Sequence, residues 1–439
     1  MGSVLSFGIL MFAAQTPRTY FTTNPAFLRL KKGRQVTNIR AFVESSCPSL
    51  FDKFRPAWWL TGGHLQTLYA VLGDFSKVDQ VVYDRTGAHY FTPPASERSL
   101  DDETPIVVVL HGLSGGSHES YVRAILAPAI SLVNEGGLGY RAVVVNFRGC
   151  AGVPLTSPQL YSAGYTDDIR QAVWYISHLY PKAPLLGVGF SLGANLLARY
   201  LAQEGENSRL VAGCVLGCPW NLVKNSEALE SGWLSRHVYS RAMASNLKRL
   251  IQRHVSAIAQ FPGSSLGQQT PKVLSVKSMT LVDFDNAITR VAGGSSPPFP
   301  FPSAWDYYKW ASSDQLLGKV RVPLLSINAD DDPIINEVPV DAADNGWVVM
   351  VMTRGGGHLG WFEVQGSAHY PRRWVSKPVI EWLKACGENL YADNEKAVPF
   401  RDADGWLVGA GNEHLGCREA GSGGKVEGAE TEEGMLAGL

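Results

Sequence analysis

One serine stands in a setting that would make its hydroxyl chemically reactive. The segment Gly-Phe-Ser-Leu-Gly occupies residues 189–193, after an apolar run at 184–188 and before a helix-like stretch at 194–204. A sharp strand-to-helix turn of this kind lifts a serine hydroxyl above the sheet, and flanking glycines remove side chains that would clash there. The pattern predicts that Ser191 is a nucleophile, and a plain turn of glycine and serine is the alternative interpretation.

A histidine further along the chain is suited to activate that serine. A serine hydroxyl is a weak nucleophile until a base takes its proton and a carboxylate orients the base. Residues 347–352 are predicted as a strand, and Arg-Gly-Gly-Gly-His-Leu-Gly follows at 354–360. A histidine after three glycines at a strand end has no core to fill. His358 is therefore predicted as the base, with an exposed loop histidine as the alternative.

Three consecutive aspartates supply the candidate acid. They occupy residues 330–332, directly after a predicted buried strand at 322–328. Taken alone, the run also fits a solvated turn or a weak metal site. Asp332 is the predicted triad acid, because the proline and two apolar residues after it turn the chain away just past the strand. Asp331 stays the alternative.

Backbone N–H groups near the serine are the candidate oxyanion donors. The predicted strand 106–110 is followed by His-Gly-Leu-Ser-Gly-Gly at 111–116. A loop in this place and the residue after the nucleophile are the usual sources of such donors. Leu113 and Leu192 are predicted to donate them. We expect His111 to hold the loop by hydrogen bonds rather than to act as a base.

Strands and helices alternate along the chain, which predicts an α/β fold with a mostly parallel, doubly wound sheet. Residues 80–90 are predicted to add early antiparallel strands. Residues 225–317 break the alternation with a helical part, a Gly-, Pro- and Ser-rich part and an aromatic run at 305–310. The predicted helices outside this segment are 119–135, 166–180, 193–204 and 372–385.

Three further segments narrow the interpretation. They are Pro-Ala-Trp-Trp-Leu-Thr-Gly-Gly-His-Leu-Gln-Thr at 56–67, Asn-Phe-Arg-Gly-Cys at 146–150 and Tyr-Ser-Ala-Gly-Tyr-Thr-Asp-Asp at 161–168. Together with the candidate catalytic residues they resemble the α/β-hydrolase superfamily. The resemblance is to the branch that holds the yeast medium-chain fatty acid ethyl ester synthase/esterases, their plant and bacterial relatives, and the animal membrane-bound phospholipid hydrolases. It runs from about residue 55 to about residue 383.

The resemblance implies the α/β-hydrolase fold, with a mostly parallel central sheet flanked by helices and a cap insertion after the sixth strand. The catalytic domain would span 51–390, with the cap at about 225–317. A leader at 1–50 would precede it, and a C-terminal extension at 391–439 would follow, disordered from about residue 416. Apolar side chains of the cap would line an acyl pocket, unless its aromatic residues only anchor the cap.

The composition limits the classes of function. A chain of 439 residues with 45% hydrophobic residues is long enough for one large catalytic domain with a cap. The net charge of −1 offers no whole-chain argument for nucleic acid or acidic partners. Six cysteines without C-x-x-C pairs favour a reducing compartment, with Cys214 and Cys218 in the core. The sequence needs no metal and has no convincing dinucleotide fingerprint, so no cofactor is predicted.

The two ends of the chain differ from the middle. Six Lys and Arg residues but no acidic residue precede Glu44, and the apolar residues 4–14 are too few to span a bilayer. We expect the leader to contact a membrane or lipid surface weakly. A myristoylation signal, a mitochondrial address and a plain disordered segment are the alternatives. The tail from residue 416 is rich in Gly and Glu, and is therefore predicted to be disordered.

These observations predict an intracellular serine esterase or alcohol O-acyltransferase that works through an acyl-enzyme. It would be cytoplasmic or peripheral on a membrane, lipid droplet or mitochondrial surface. The resemblance implies a short- or medium-chain acyl group, acyl-CoA as a donor, and fatty acid ethyl esters when ethanol replaces water. The alternatives are a hydrolase of monoacylglycerol or phospholipid, a peptidase or amidase, and a non-catalytic scaffold that binds a ligand or partner.

Overall fold

An eight-stranded sheet with helices on both faces forms the centre of the fold. The structure is a computed structural model and describes residues 14–31, 36–75, 77–81, 90–91, 102–364, 371–391 and 399–418. The strands among these residues are β1 Arg18–Tyr20, β2 Phe27–Arg29, β3 Val36–Asn38, β4 Tyr90–Phe91, β5 Ile106–Leu110, β6 Arg141–Val145, β7 Leu185–Phe190, β8 Leu210–Leu216, β9 Leu324–Ala329, β10 Val348–Thr353, β11 Phe362–Glu363, β12 Arg372–Arg373, β13 Phe400–Arg401, β14 Leu407–Gly409 and β15 Asn412–Cys417.

The helices connect and cover these strands. In chain order they are α1 Ile39–Ser46, α2 Gly63–Leu72, α3 Ser120–Ile130, α4 Asp167–Leu179, α5 Leu192–Glu204, α6 Leu222–Ser231, α7 Arg241–Arg253, α8 Val255–Ile258, α9 Ser265–Ser275, α10 Leu281–Phe284, α11 Arg290–Ala292, α12 Ala304–Ala311 and α13 Ser376–Asn389. Two π-helical segments, Ser235–Ser240 and Asp285–Thr289, interrupt the helices between β8 and β9.

The sheet is mostly parallel, as the sequence predicts. Its strand order is β1-β10-β9-β8-β7-β5-β6-β4. The six inner strands pair in parallel, whereas the edge strands β1 and β4 are antiparallel to their neighbours. The carboxyl ends of the parallel strands therefore share one edge of the sheet, where α/β folds place their ligands. The predicted fold class is confirmed.

Both faces of the sheet are buried, which explains why its strands are continuous apolar runs. In β5, Ile106, Val108 and Leu110 pack toward the face that carries α4 and α5. The alternate residues Val107 and Val109 pack toward the face that carries α1, α3 and α13. This two-sided core fixes the strand ends and hence the loops that follow them.

The cap is inserted between β8 and β9, and β8 is the sixth strand of the large sheet in chain order. It contains α6 to α12. Leu229 and Met243 of the cap pack with Ile334 and Ile335, which lie in the loop after β9. The cap is therefore packed against the carboxyl edge of the sheet.

The predicted boundary between leader and catalytic domain at residue 50 needs correction. Strand β1 pairs with β10 at the edge of the large sheet. On α1, Ile39, Phe42 and Val43 are buried in the core. Residues that resemble a basic leader in sequence are thus part of the domain. They are ordered by strand pairing with β10 and by the buried face of α1. Residues 1–13 lie outside the described part of the chain.

Part of the predicted C-terminal extension, residues 399–418, forms a small sheet, and the disorder predicted from about residue 416 concerns residues almost wholly outside the described part of the chain. Strands β13, β14 and β15 form a three-stranded antiparallel sheet that packs on α4. Gly409 fits against the indole of Trp174, where a Cβ would come within 2.3 Å of the ring. Gly416 and Cys417 belong to β15 because cross-strand pairing holds them. Residues 419–439 lie outside the described part of the chain.

The predicted helices are present with shifted ends. Helix α3 stops at Ile130, five residues early, and α13 starts at Ser376 because Arg372–Arg373 pairs as β12 with β11. Of the strands predicted at 80–90, residues 82–89 lie outside the described part of the chain, and Tyr90–Phe91 forms β4. Within the described ranges, every helix is too short or too polar to cross a membrane.

Candidate active site

Ser191 lies in a strained turn between β7 and α5. Its φ of 50° and ψ of −118° are unusual for a residue with a side chain. Close packing requires glycine on both sides of it. A Cβ on Gly189 would lie 2.6 Å from the carbonyl oxygen of Gly193, and one on Gly193 would lie 2.4 Å from that of His111. The turn therefore has the strand, elbow and helix geometry that presents a nucleophile.

The structure brings the three predicted triad residues into one hydrogen-bonded chain. The Nε2 of His358 lies 2.9 Å from the Oγ of Ser191, and its Nδ1 lies 2.8 Å from the Oδ2 of Asp332. The other carboxylate oxygen, Oδ1, accepts from the backbone N–H groups of Ile334 at 2.8 Å and Ile335 at 3.1 Å. Because Nδ1–H donates to the carboxylate, Nε2 is left to accept the serine proton.

The three aspartates after β9 have different contacts. Asp330 accepts from the backbone N–H of Gly355 at 3.2 Å. Asp331 accepts from the N–H of Gly357 at 2.9 Å, while its Oδ2 is buried without a hydrogen-bond partner. Burial raises the pKa of Asp331. Of the three, Asp332 is the one whose carboxylate reaches the histidine ring.

The loop after β5 is held by the buried His111. Its Nε2 accepts from the N–H of Phe147 at 3.1 Å, so its Nδ1 carries the proton and donates to the carbonyl of Gly112 at 2.7 Å. Burial lowers the pKa of His111 to about 3, which keeps the ring neutral. Gly112 also donates its N–H to the hydroxyl oxygen of Tyr121 at 2.9 Å. His111 thus holds the loop, as the sequence predicts.

These contacts set the direction of one predicted oxyanion donor. The N–H of a trans peptide points away from its carbonyl, so the bond from His111 to Gly112 orients the N–H of Leu113. The hydroxyl of Tyr161 donates to the carbonyl of Leu113 and fixes the next peptide. Leu192 is the first residue of α5, where an N–H has no acceptor within the helix. Both leucines lie at the same cavity as the serine.

Two other segments of the predicted family pattern support this loop. The side chain of Asn146 accepts from the N–H of Ser117 at 2.9 Å. The guanidinium of Arg148 binds both carboxylate oxygens of Asp168, at 2.7 and 2.6 Å. This bidentate pair joins the segment after β6 to the start of α4. Residues that served only to recognise the family therefore shape the site.

Helix α2 positions the histidine from behind. Thr67 accepts from the backbone N–H of His358 at 2.8 Å and donates to the carbonyl of Gly63 at 2.7 Å. Gln66 accepts from a backbone N–H of β11 at 2.8 Å. A Cβ on Gly63 would lie 1.7 Å from the carbonyl oxygen of Asp331. Sequence reasoning missed this role, although three polar residues, His64, Gln66 and Thr67, on an otherwise apolar helix were its signal.

An apolar cavity opens beside Ser191. Cap residues such as Leu222, Leu229, Met243 and Leu247 form much of its wall. The cavity therefore has the apolar character to receive a hydrocarbon chain next to the serine.

The aromatic run of α12 both lines the cavity and anchors the cap. Tyr307 and Tyr308 line the cavity. The ring of Trp310 instead lies over the guanidinium of Arg199, 4.7 Å from ring centroid to the central carbon. Arg199 also donates to the carbonyls of Trp310 and Ser312 at 2.6 and 3.0 Å. One part of α12 shapes the cavity, and another part anchors the cap to α5.

The cysteines have no catalytic setting. None of the six forms a disulfide, and five of them are buried. Burial raises the pKa of the Cys150 thiol to about 12, so it stays protonated and unreactive. Among the residues that the structure describes, no group of three or more His, Cys, Asp and Glu is placed to hold a metal ion.

A family model for the alpha/beta hydrolase fold matches residues 105–360, more than half of the chain. The chain belongs to the α/β-hydrolase family. The matched range includes Ser191, Asp332, His358 and the loop after β5. The predicted family is confirmed, and this α/β hydrolase can be compared with its relatives.

Several relatives of this α/β hydrolase carry curated names. The monoacylglycerol lipase of Saccharomyces cerevisiae is 32% identical over 67% of this chain and 62% of its own length. The medium-chain fatty acid ethyl ester synthase/esterase 2 of the same yeast is 28% identical over 81% of this chain and 91% of its own. The monoacylglycerol lipase ABHD2 of Homo sapiens is 29% identical over 80% and 84%. The chain thus spans about three fifths of the yeast lipase.

Proposed function

We propose that this α/β hydrolase cleaves carboxylic esters through an acyl-enzyme on Ser191. The observation that carries the proposal is the hydrogen-bonded chain from Ser191 through His358 to Asp332, beside an apolar cavity. The order of the three side chains, with the histidine ring between the serine hydroxyl and the carboxylate, is that of a catalytic triad. The cavity would hold the acyl chain, and the relatives named as esterase and lipase support the same reaction class.

The acylation step uses the observed contacts. The Oγ of Ser191 attacks the ester carbonyl carbon while its proton moves to the Nε2 of His358. Asp332 accepts from Nδ1–H and stabilises the imidazolium that forms. Negative charge develops on the carbonyl oxygen, which the N–H groups of Leu113 and Leu192 stabilise. The alcohol then leaves with the proton from Nε2.

The second step decides between hydrolysis and ester synthesis. His358 takes a proton from a water molecule, and the water oxygen attacks the acyl-enzyme to release the acid. If an alcohol attacks instead, the product is a new ester, and acyl-CoA can then serve as donor. The relative named medium-chain fatty acid ethyl ester synthase/esterase 2 supports this second outcome as part of the proposal.

A monoacylglycerol lipase is the second candidate function. Two of the compared relatives carry that name. The apolar lining of the cavity suits the hydrocarbon part of a fatty acyl chain. Both candidates use the same three residues and differ in the alcohol that leaves.

Other classes fit less well. A peptidase would need donors and acceptors for a peptide backbone, whereas the cavity wall is formed mainly by leucines and aromatic side chains. A non-catalytic scaffold would not need a strained serine at φ 50° within hydrogen-bond distance of His358. We therefore favour an enzyme that acts on acyl esters.

A fluorophosphonate probe together with an ester panel tests this proposal. We expect the wild type to be labelled and to hydrolyse p-nitrophenyl esters, whereas Ser191→Ala loses the label and on the order of 10³- to 10⁶-fold in kcat. Ser177→Ala, a buried serine on α4 outside the cavity, is the matched control and should keep both. Ester turnover by a folded Ser191→Ala enzyme near the wild-type rate would overturn the assignment.

A further inference from the structure

The cavity beside Ser191 contains one polar side chain with an unused donor. Asn225 is 3% exposed and lies on the cavity wall. Its Oδ1 accepts from the backbone N–H of Asn336 at 3.1 Å, which fixes the orientation of the amide. Its Nδ2 is buried and has no hydrogen-bond partner. A buried donor without an acceptor is unfavourable, and native folds rarely retain one without a reason.

Asn225 is part of a polar strip in an otherwise apolar wall. On α6, the cavity face consists of Leu222, Asn225, Ser226 and Leu229, at the spacing of one helix face. The strip continues across the cavity to Asp285, another lining residue. A plain hydrocarbon chain would leave this strip without hydrogen bonds.

Asp285 and the lining residues Tyr308 and Thr289 are already paired with one another. Asp285 accepts from the hydroxyl of Tyr308 at 2.6 Å and from that of Thr289. Asn225 therefore differs from them, because its donor points to no group of the described protein. Because Asn225 lines the cavity, an occupant of the cavity is the natural source of the missing acceptor.

We propose that Asn225 determines specificity by donating a hydrogen bond to an oxygen atom of the substrate. The substrate would be an ester with a second oxygen function near the scissile carbonyl, either a free hydroxyl of a polyol alcohol or a hydroxyl on the acyl chain. This inference rests on the proposed ester hydrolysis at Ser191. A site built to bind a substrate oxygen discriminates against the analogue that lacks it, since the analogue leaves the buried donor unpaired.

Matched ester pairs test the proposal in two arms. The alcohol arm compares 1-monooctanoylglycerol with propyl octanoate, and the acyl arm compares ethyl hydroxyoctanoates with ethyl octanoate. For the wild type we expect kcat/KM to favour the oxygenated member by about 10-fold or more in one arm, since a single hydrogen bond supplies a factor of this size. The arm that shows the preference identifies the source of the oxygen. Equal values in both arms would overturn the proposal without any variant.

Two variants then locate the preference at Asn225. Asn225→Asp keeps an acceptor for Asn336 and removes the donor, and Asn225→Leu removes both and stays similar in size. We expect the ratio of kcat/KM within the pair to fall to about one. A structural role would lower both esters together and leave the ratio unchanged, which would contradict the proposal.

Asn345→Asp is the matched control. Asn345 is a buried amide outside the cavity whose Nδ2 donates to the carbonyls of Leu317 and Val320, at 2.7 and 2.9 Å. We expect it to lower thermal stability without changing the ratio; a changed ratio would count against Asn225 as the determinant. A wild type that cleaves no ester at all contradicts the proposed function itself and this inference with it. A wild type that cleaves esters without preference contradicts the inference alone.

Discussion

Three neighbouring carboxylates at the end of β9 show how position decides chemistry at the scale of single residues. Asp332 accepts two backbone N–H groups on one oxygen and the His358 ring on the other. Asp331 is turned toward Gly357 and helps to hold the glycine loop. Both side chains are carboxylates at a strand end, yet the geometry gives one of them the histidine and the other a backbone contact.

The two aspartates should respond differently to amidation. Asp332→Asn places an amide N–H opposite the Nδ1 of His358 and favours the wrong tautomer, so kcat should fall on the order of 10³- to 10⁴-fold. Asp331→Asn keeps an oxygen for the Gly357 N–H, so we expect kcat to fall less than about 10-fold. Steady-state ester hydrolysis with circular dichroism as a folding control measures both. If Asp331→Asn were the more damaging change, the acid would have to be reassigned.

Secondary-structure elements act here as supports that place residues from distant parts of the chain. Helix α2 carries no residue of the proposed triad, but Thr67 binds the backbone of His358, and Gly63 allows the close approach of Asp331. In the cap, the π-helical segment and α12 meet where Asp285 accepts from Tyr308. These contacts join elements through buried polar groups.

Asp285 should make the stability of the cap, where the π-helical segment meets α12, depend on pH. Burial raises the pKa of Asp285 to about 6, above the value near 4 of an unfolded chain. The folded state therefore binds this proton more tightly, so the contribution of Asp285 to stability is greatest below about pH 4 and falls as the pH rises to about 6. The loss is on the order of 3 kcal/mol above that range.

An Asp285→Asn variant removes this dependence. We expect its melting temperature relative to that of the wild type to rise between pH 4 and pH 7, by several degrees. Thermal unfolding of both proteins at four pH values measures the difference, and Asp52→Asn, an exposed aspartate, serves as the control. A difference that stays constant with pH would show that Asp285 does not titrate in this range.

For the molecule as a whole, the N-terminal segment belongs to the fold. Arg18 forms an ion pair with Asp330 at 3.2 Å, and Lys31 donates to the carbonyl of Gly387 at 2.9 Å. Arg40 pairs with Glu44 within α1. Three of the six basic residues that suggested contact with an anionic lipid surface thus form ion pairs or hydrogen bonds within the protein. The proposed lipid-surface contact therefore depends on the apolar residues 4–14 and on the other three basic residues, Arg29, Lys32 and Arg34.

Two truncations separate folding from surface contact. Removal of 1–43 takes away β1 and three buried side chains of α1, each worth roughly 1.5–3 kcal/mol, and should abolish stable folding. Removal of 1–13 takes away apolar residues and no Lys or Arg, so it should leave turnover and melting temperature nearly unchanged and lower sedimentation with lipid vesicles. Removal of 419–439 is the control and should change none of these. Equal sedimentation of all chains would contradict the lipid-surface proposal.

The sequence alone predicted what depends on short segments. The elbow around Ser191, the glycine loop before His358 and the strand-and-helix alternation are local patterns, because a turn or a buried strand requires particular residues within a few positions. Those patterns were sufficient for the fold class and the family, and they placed the candidate nucleophile and the candidate base at strand ends that a parallel sheet brings to one edge.

Tertiary structure decided what depends on contacts between distant segments. Asp331 and Asp332 are adjacent in sequence, and only the turn after β9 shows which of them faces the histidine. The place of β1 depends on pairing with β10, more than 300 residues away. The unpaired Nδ2 of Asn225 is evident only in the folded protein, where the cap packs over the serine. Local composition specifies none of these features. Each depends on packing or strand pairing between residues that are distant in the chain and become neighbours only in the folded protein.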